Sequence, residues 1–235
     1  MTNVLQPVFY GFLAGIFGTV LIGLLSRNLQ AVVNGIASLA VAALPTLTEF
    51  AIAFSGGADV AFGPGLSAWI AVAGFLHMLG MLGWYDTVSW WDHLTHTVSA
   101  ALVAALVYAT LQTPAALGSH VTGPYAVLFT LLFTLGAGVV WELVELAARE
   151  LGEYIDRPPV LEYYGLRDTA LDMAFNGVGA VAVVALDVRV FASVVAQIPR
   201  IAETAVVGGT VLLFAGALAL GLALEAVRNA ATDTE

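Results

Sequence analysis

The stretch Trp141-Glu142-Leu143-Val144-Glu145 places two acids three residues apart near the end of an apolar run that begins at Tyr125. Residues i and i+3 lie on one face of a helix, so both carboxylates point the same way from a segment otherwise suited to lipid. A carboxylate at mid-bilayer costs roughly 2.5–3.5 kcal/mol, and such acids therefore require polar partners and mark functional sites by default. Two neighbouring apolar segments open with residues that can supply those partners: Asp92, His93 and His96 in one, and Asp168, Asp172 and Asn176 in the other.

The composition predicts a polytopic membrane protein. Of 235 residues, 60% are hydrophobic and only 10% are charged, whereas soluble domains carry roughly 25% charged residues. A net charge of −10 without any lysine argues against binding to nucleic acid or anionic headgroups, excludes a retinal Schiff base, and suggests a salt-adapted cytoplasm. The absence of cysteine excludes disulfides, thiolate metal ligands and a cysteine nucleophile.

The fold class predicted is all-α, a bundle of about seven membrane-spanning helices with six as the alternative. A helix of about 18 or more apolar residues can cross the hydrocarbon core. The residues before Pro7 lack the basic segment of a signal peptide, so we expect the first apolar run to be retained. We expect one integral-membrane domain over 1–235, with its polar core in 66–190 and spans near 8–26, 30–54, 66–85, 92–112, 124–149, 168–188 and 203–228.

The distribution of arginine predicts an external amino terminus and a cytoplasmic carboxyl terminus in the cell membrane. Positive residues concentrate in cytoplasmic loops. With seven spans and this orientation, five arginines fall inside and two, Arg189 and Arg200, fall outside. The end of span five and the starts of spans four and six then meet at the cytoplasmic side. The five inside are Arg27, Arg149, Arg157, Arg167 and Arg228.

The polar residues of these spans are too deep to be explained by helix capping alone. Asp92 and His96 are four residues apart on one helix face. Aspartate is a favoured N-cap, which would account for Asp92 and Asp168 without any function. Capping does not explain the residues a turn or more inside their spans, which are His96, Glu142, Asp172 and Asn176.

The charges of this cluster do not balance. Nearby Arg149 and Arg167 contribute about +2, against about −5 from the five acids Asp92, Glu142, Glu145, Asp168 and Asp172. Crowded like charges in a low dielectric require protonation, charged histidines or a bound cation. Three interpretations stay open: a divalent metal site, a metal-free network of acids and hydrogen bonds, and a structural polar lock. The candidate metal ligands are His96, Glu142, Glu145, Asp168 and Asp172.

Several further residues are expected to support this cluster or surround it. His77 lies on the otherwise apolar third span, which ends in Trp84-Tyr85, an aromatic pair suited to the membrane interface. The acidic connection at about 150–167 is expected to lie along the membrane surface as a partial lid over the cluster. In the second span, Pro45 is expected to introduce a kink, and Glu49 lies near the far end.

These motifs resemble a known family. Asp92-xxx-His96, Glu142-xx-Glu145 behind an aromatic, and Asp168-xxx-Asp172-Met173 resemble the three signatures of the YjdF-type multi-pass membrane proteins. His77-xx-Gly80 is similar to that family's third-span pattern, and Asp172-xxx-Asn176-xx-Gly179 looks like the wider VanZ-like group. Arg167-Asp168 departs from the Gly-Asp step common in the family. The resemblance covers about 66–190 and implies an integral membrane protein without an agreed activity.

Three classes of function remain open from the residues. As an enzyme, the protein would hydrolyse or transfer a group on a lipid-like amphiphile, with a metal-activated water or Glu142 as base and His96 moving protons. As a transporter, it would use the same acids as a proton or cation relay. As a subunit of a membrane complex, it would use them to set helix register. The candidate catalytic residues are Asp92, His96, Glu142, Glu145, Asp168 and Asp172, and the supporting residues are His77, His93, Asn176, Arg149 and Arg167.

Overall fold

The computed structural model describes the backbone of residues 4–57 and 59–232, and side chains as far as residue 226. Throughout this part of the chain the regular structure is helical and no strand occurs. The predicted all-α class is therefore confirmed. Residues 1–3, Ala58 and the side chain of Arg228, which entered the arginine count, lie outside the described residues.

Seven helices in the described ranges are long and apolar enough to cross a bilayer, as predicted. Most begin and end within a few residues of the expected positions. They are α1 (Leu5–Ser26), α2 (Leu29–Phe54), the segment Pro64–Thr87 that begins with α3 (Pro64–Leu79), α4 (Trp91–Gln112), α5 (Pro124–Tyr154), α6 (Leu166–Ala185) and α7 (Pro199–Thr232).

The predicted ends of two spans were wrong, and the third span, found at Pro64–Thr87, is interrupted within its predicted bounds. α5 continues to Tyr154 instead of stopping at 149, and α6 ends at Ala185 instead of 188. The third span does not continue as one helix to 85: α3 ends at Leu79, and a π-helical turn, Gly80–Trp84, leads into a single short turn, Tyr85–Thr87. The reason lies at Gly83, whose φ of 107° is a conformation that L side chains rarely adopt.

Helix α4 lies at the centre of the bundle. It packs most extensively against α6 and also contacts α3 and α5, while α1, α2 and α3 pack against one another. Small residues make the centre possible: Ala104, Ala105 and Ala109 of α4 are fully buried. At Gly179 of α6 the helices approach so closely that an added Cβ would touch the backbone of α4. The α4–α6 contact therefore depends on small side chains, as is common between helices in lipid.

The connection from α5 to α6 packs over the ends of α2 and α3. The carbonyl oxygen of Val160 accepts a hydrogen bond from Asn34 Nδ2 at 2.8 Å, and the Tyr164 hydroxyl donates to Asp86 Oδ1 at 3.0 Å. Leu161 is buried in the same small core as Met78 and Met81. This segment thus closes the end of the bundle where α4 and α6 begin and α5 ends, which we call the polar end.

At the opposite, far end of the bundle the acids carry out local structural roles. Glu49 Oε1 accepts a hydrogen bond from the backbone N–H of Phe62 at 2.6 Å. Asp187 Oδ1 accepts hydrogen bonds from the Tyr108 hydroxyl and from Arg189 Nε, each at 2.8 Å. Glu49 is thus separate from the cluster at the polar end.

Candidate functional site

The centre of the site is formed where the first two turns of α4 face α6. His96 Nε2 lies 3.5 Å from Asp92 Oδ1 on its own helix and 3.8 Å from Asp172 Oδ1 on α6. His96 Nδ1 lies 3.3 Å from Asn176 Oδ1. The four-residue spacings on the two helices therefore bring two acids, an imidazole and an amide together.

The amide of Asn176 orients the ring of His96. With Asn176 Oδ1 facing the ring, as the structure places it, the neutral ring carries its proton on Nδ1 and donates it to Asn176 Oδ1. Nε2 then presents its lone pair between the two carboxylates. Histidine ligands of metal ions are held in the same way, by an outer partner on the second ring nitrogen.

Two carboxylates of the cluster are buried with unmatched oxygens. Asp172 is 1% exposed and Glu142 is 6% exposed. Within the described part of the chain, Asp172 Oδ1 and Glu142 Oε1 have no hydrogen-bond partner. A buried polar atom without a partner costs about 1–3 kcal/mol, and more when it is charged, so these two oxygens are exceptions that require an explanation.

The other two acids lie close to this centre without direct contact to His96. Glu145 lines the neighbouring cavity and is within electrostatic range of Glu142 and Asp92. Asp168 interacts electrostatically with Asp92 and with both histidines of α4. The acids of all three helices thus face the same region.

The capping explanation for Asp92 and Asp168 was wrong. The N-cap of α4 is Trp90 and that of α6 is Gly165, and neither uses a side chain as a cap. Both aspartates lie inside the first turn, where an acid is still favoured by the helix dipole.

Two of the expected supporting residues, Arg149 and Arg167, lie apart from the cluster, and His93 makes a separate ring contact. Arg149 donates from Nε to Glu153 Oε1 at 2.9 Å in an exposed pair, and Arg167 is exposed. His93 stacks on Phe175 with ring centroids 4.2 Å apart. The two arginines therefore lie at the surface, and no contact described for them reaches the buried acids.

A second polar group faces the cluster from α2 and α3. His77 Nδ1 lies 2.8 Å from the Tyr85 hydroxyl, and His77 Nε2 lies 3.3 Å from Asn34 Oδ1. Tyr85 Oη is 3.5 Å from Thr95 Oγ1, which lies one turn after Asp92. The two halves of the site are therefore linked through Thr95.

The expectation that Tyr85 belongs to the membrane interface was wrong. Trp84 is exposed, but Tyr85 turns back into the bundle and its ring lies against Gly80, where any Cβ would clash. Gly83 allows this reversal through its positive φ. Tyr85, Thr95 and Asn34 were missed as site residues, and the signal that could have revealed Tyr85 is the pair of glycines just before it.

A cavity of about 470 Å³ opens between α2, α3, α4 and α5. Its volume falls in the range of small-molecule sites, about 300–1,000 Å³. One end of the cavity is polar, and the rest of its wall is mainly apolar, from residues such as Val41, Ile70, Leu102 and Val103. The polar end of the cavity is formed by Asn34, His77, Tyr85, Thr95, His96, Glu145 and Asn176.

The donor set at the centre suits a metal ion. One ligand atom each from Asp92, His96 and Asp172 lies within 4.8 Å of the other two. Ligands about 2.0 Å from a tetrahedral Zn²⁺ are about 3.3 Å apart, so the observed 3.5 Å and 3.8 Å contacts need only a small contraction. Asp92 enters this set although it was not among the predicted ligands.

Comparison with known proteins places the chain in a family. Residues 9–193 match the family described as "Predicted membrane protein (DUF2238)", and the chain belongs to it. The predicted membership of a family of multi-pass membrane proteins is confirmed, while the wider VanZ-like resemblance stays a prediction. The matched segment ends before α7.

One curated relative is an "Uncharacterized protein" of Thermotoga maritima, 29% identical over 107 residues. The match covers 45% of this chain, which spans about half the length of that relative, 52%. No solved structure matches the chain.

Proposed function

We propose that this protein is a metal-dependent membrane enzyme that hydrolyses or transfers a group on an amphiphilic substrate at the cytoplasmic interface. The observation that carries the proposal is the Asp92–His96–Asp172 group, whose three ligand atoms lie within 4.8 Å of one another and whose His96 also lines an otherwise mainly apolar cavity. Imidazole with carboxylates is the donor set of Zn²⁺, Mn²⁺ and Fe²⁺ sites.

The unmatched oxygens support a bound cation. Asp172 Oδ1 faces His96 Nε2 across 3.8 Å, which is too far for a hydrogen bond. The carboxylate oxygen is an acceptor, and Nε2 is also an acceptor when the imidazole is neutral. Two lone pairs that face each other in a water-poor interior repel unless a proton or a metal cation lies between them. Glu142, with its own unmatched oxygen, interacts electrostatically with His96 and Asp92 and is the candidate fourth ligand.

Each residue of the site has a distinct role in the proposed reaction. A divalent ion at this centre would polarise the substrate's head and the attacking water. Glu145 lines the cavity and can accept the proton of the attacking group, while the apolar wall holds the tail. Asn176 keeps His96 oriented and is a positioning residue.

The alternatives are less well supported by the geometry. A proton or cation relay across the membrane needs acids along both halves, yet Glu49 and Asp187 at the far end are occupied by backbone and side-chain hydrogen bonds. A purely structural lock would satisfy its buried polar atoms, which Asp172 and Glu142 do not.

The test is metal content combined with thermal unfolding of the purified full chain. A site held only by the folded state stabilises it by about 2.7 kcal/mol when free metal is 100 times the dissociation constant. We therefore expect near-stoichiometric metal, and a chelator should lower the melting temperature. Binding should weaken in acid, because protons compete with the metal ion for the ligand atoms.

The variants separate this site from general effects on folding. Asp172→Asn and Glu142→Gln should lose metal and the chelator response, whereas Glu49→Gln, an acid of the far end, should retain both. Less than about 0.1 metal per chain in folded protein that was never stripped, without a chelator-dependent shift, contradicts the proposal.

A further inference from the structure

The part of the cavity wall formed by Tyr85 and Thr95 presents hydrogen-bond acceptors, and the orientation of Asn34 establishes this. Asn34 Nδ2 donates to the carbonyl oxygens of Gln30 at 2.9 Å and Val160 at 2.8 Å. Carbonyl oxygens only accept, so the amide cannot be flipped. Asn34 Oδ1 therefore faces His77 Nε2.

The orientation of Asn34 determines the proton position on His77. Its Nε2 must carry a proton to donate to Asn34 Oδ1 at 3.3 Å. Both nitrogens of His77 contact uncharged groups, so the ring is neutral in this water-poor interior and Nδ1 is an acceptor. The Tyr85 hydroxyl, 2.8 Å away, is then the donor to Nδ1.

Tyr85 and Thr95 consequently present lone pairs to the cavity. The single hydroxyl proton of Tyr85 is used by His77, and the 3.5 Å contact to Thr95 is too long to compete for it. The hydroxyl of Thr95 donates to the carbonyl oxygen of Asp92 at 2.8 Å. This part of the cavity wall therefore offers hydrogen-bond acceptors to a ligand.

We propose that this cavity binds a long-chain alcohol, whose hydroxyl donates a hydrogen bond to Tyr85 Oη while the alkyl chain lies along the apolar wall. The proposal rests on the amphiphilic substrate of the proposed function and names its class. Tyr85 and Thr95 are uncharged acceptors, which match a hydroxyl without leaving a charge unpaired in the membrane interior. The volume of about 470 Å³ and the wall of α2 to α5 accommodate the chain.

The test compares tetradecanol, its methyl ether and tetradecylamine as probes of the full chain in lipid nanodiscs, with bound ligand counted by native mass spectrometry. A chelator is present throughout, so failure of the metal proposal leaves this experiment unaffected. One hydrogen bond corresponds to about a two- to tenfold difference in dissociation constant. The alcohol should therefore bind about two- to tenfold more tightly than the ether, which has no proton to donate.

Tyr85→Phe removes the acceptor and retains the ring over Gly80. It should weaken the alcohol to the level of the ether and leave the ether unchanged. Tyr125→Phe, at an exposed ring of the far end, is the matched control and should change neither. Equal binding of alcohol and ether to wild type, or tighter binding of the amine, would overturn the proposal.

A second measurement keeps the inference testable if Tyr85→Phe does not fold. The chain has four histidines, so ¹⁵N imidazole spectra of the wild type can be assigned by single His→Gln variants at the other three positions. His77 should show a protonated Nε2 and an unprotonated Nδ1. A protonated Nδ1 would make Tyr85 a free donor and would refute the argument.

Discussion

Substitution of Gly179 by alanine should separate the two helices that hold the site. An added Cβ would lie against the carbonyl oxygen of Thr97 and 3.0 Å from the backbone nitrogen of Ala101, both on α4. Backbone atoms of a helix cannot rotate away as a side chain can, so α4 and α6 must move apart. Overpacking of this kind costs about 1–3 kcal/mol.

Gly177 provides the matched control two residues earlier on the same helix. Nothing lies within 4 Å of a Cβ at that position. Alanine is a better helix former than glycine by up to about 1 kcal/mol, and this gain applies to both variants. The difference between Gly179→Ala and Gly177→Ala therefore isolates the steric cost, which we expect to be about 1–3 kcal/mol.

The assay is equilibrium unfolding of the purified chain in mixed micelles of increasing denaturing detergent, followed by helicity. Metal binding is measured on the same samples, because His96 lies on α4 while Asp172 and Asn176 lie on α6. Gly179→Ala should lose both stability and metal affinity, and Gly177→Ala should retain both. Equal stability of the two variants would refute the close packing of α4 and α6.

Two further predictions concern the ends of the bundle. Hydrogen bonds from Arg189 and, to a smaller extent, Tyr108 hold the pKa of Asp187 below its ordinary value. Its contribution to stability is therefore present above the ordinary carboxyl range and is lost as pH falls through the lower pKa of the folded state. Asp187→Asn should lower the melting temperature at neutral pH, and the difference in melting temperature from wild type should disappear in acid. A gap that widens with acid would contradict this. Reporter tags should place the amino terminus outside and the carboxyl terminus in the cytoplasm, and a result with both ends on one side would mean that one of the seven helices does not span.

Much of the fold could be predicted because membrane spans are local properties of the chain. Their length and apolarity are set by the thickness of the bilayer, and helix periodicity alone places Asp92 beside His96 on one face. The bounds were less predictable. α5 continues into the polar residues up to Tyr154 because a helix is not obliged to end at the membrane surface.

The site was predicted in part for the same reason. The acids of α4, α5 and α6 stand out because an acid in an apolar helix is costly wherever it lies. The role of Arg149 was less visible, because Glu145 and Glu153 are each four residues away, a spacing that allows an ion pair on a helix. Only the fold shows that Arg149 pairs with Glu153 at the surface.

The sequence by itself determined the membrane class, the seven helices and the three motifs, since each depends on the composition or period of a short segment. Only the tertiary structure decided that Asp172 joins Asp92 and His96, and that Tyr85 turns inward to meet His77. The direction of the Tyr85 side chain depends on the backbone angle at Gly83 and on the space above Gly80. The direction in which its hydroxyl proton points depends, through His77, on the amide of Asn34, which lies 51 residues earlier and is oriented by its hydrogen bond to Val160. Such relations join residues far apart in the chain, and no local pattern encodes them.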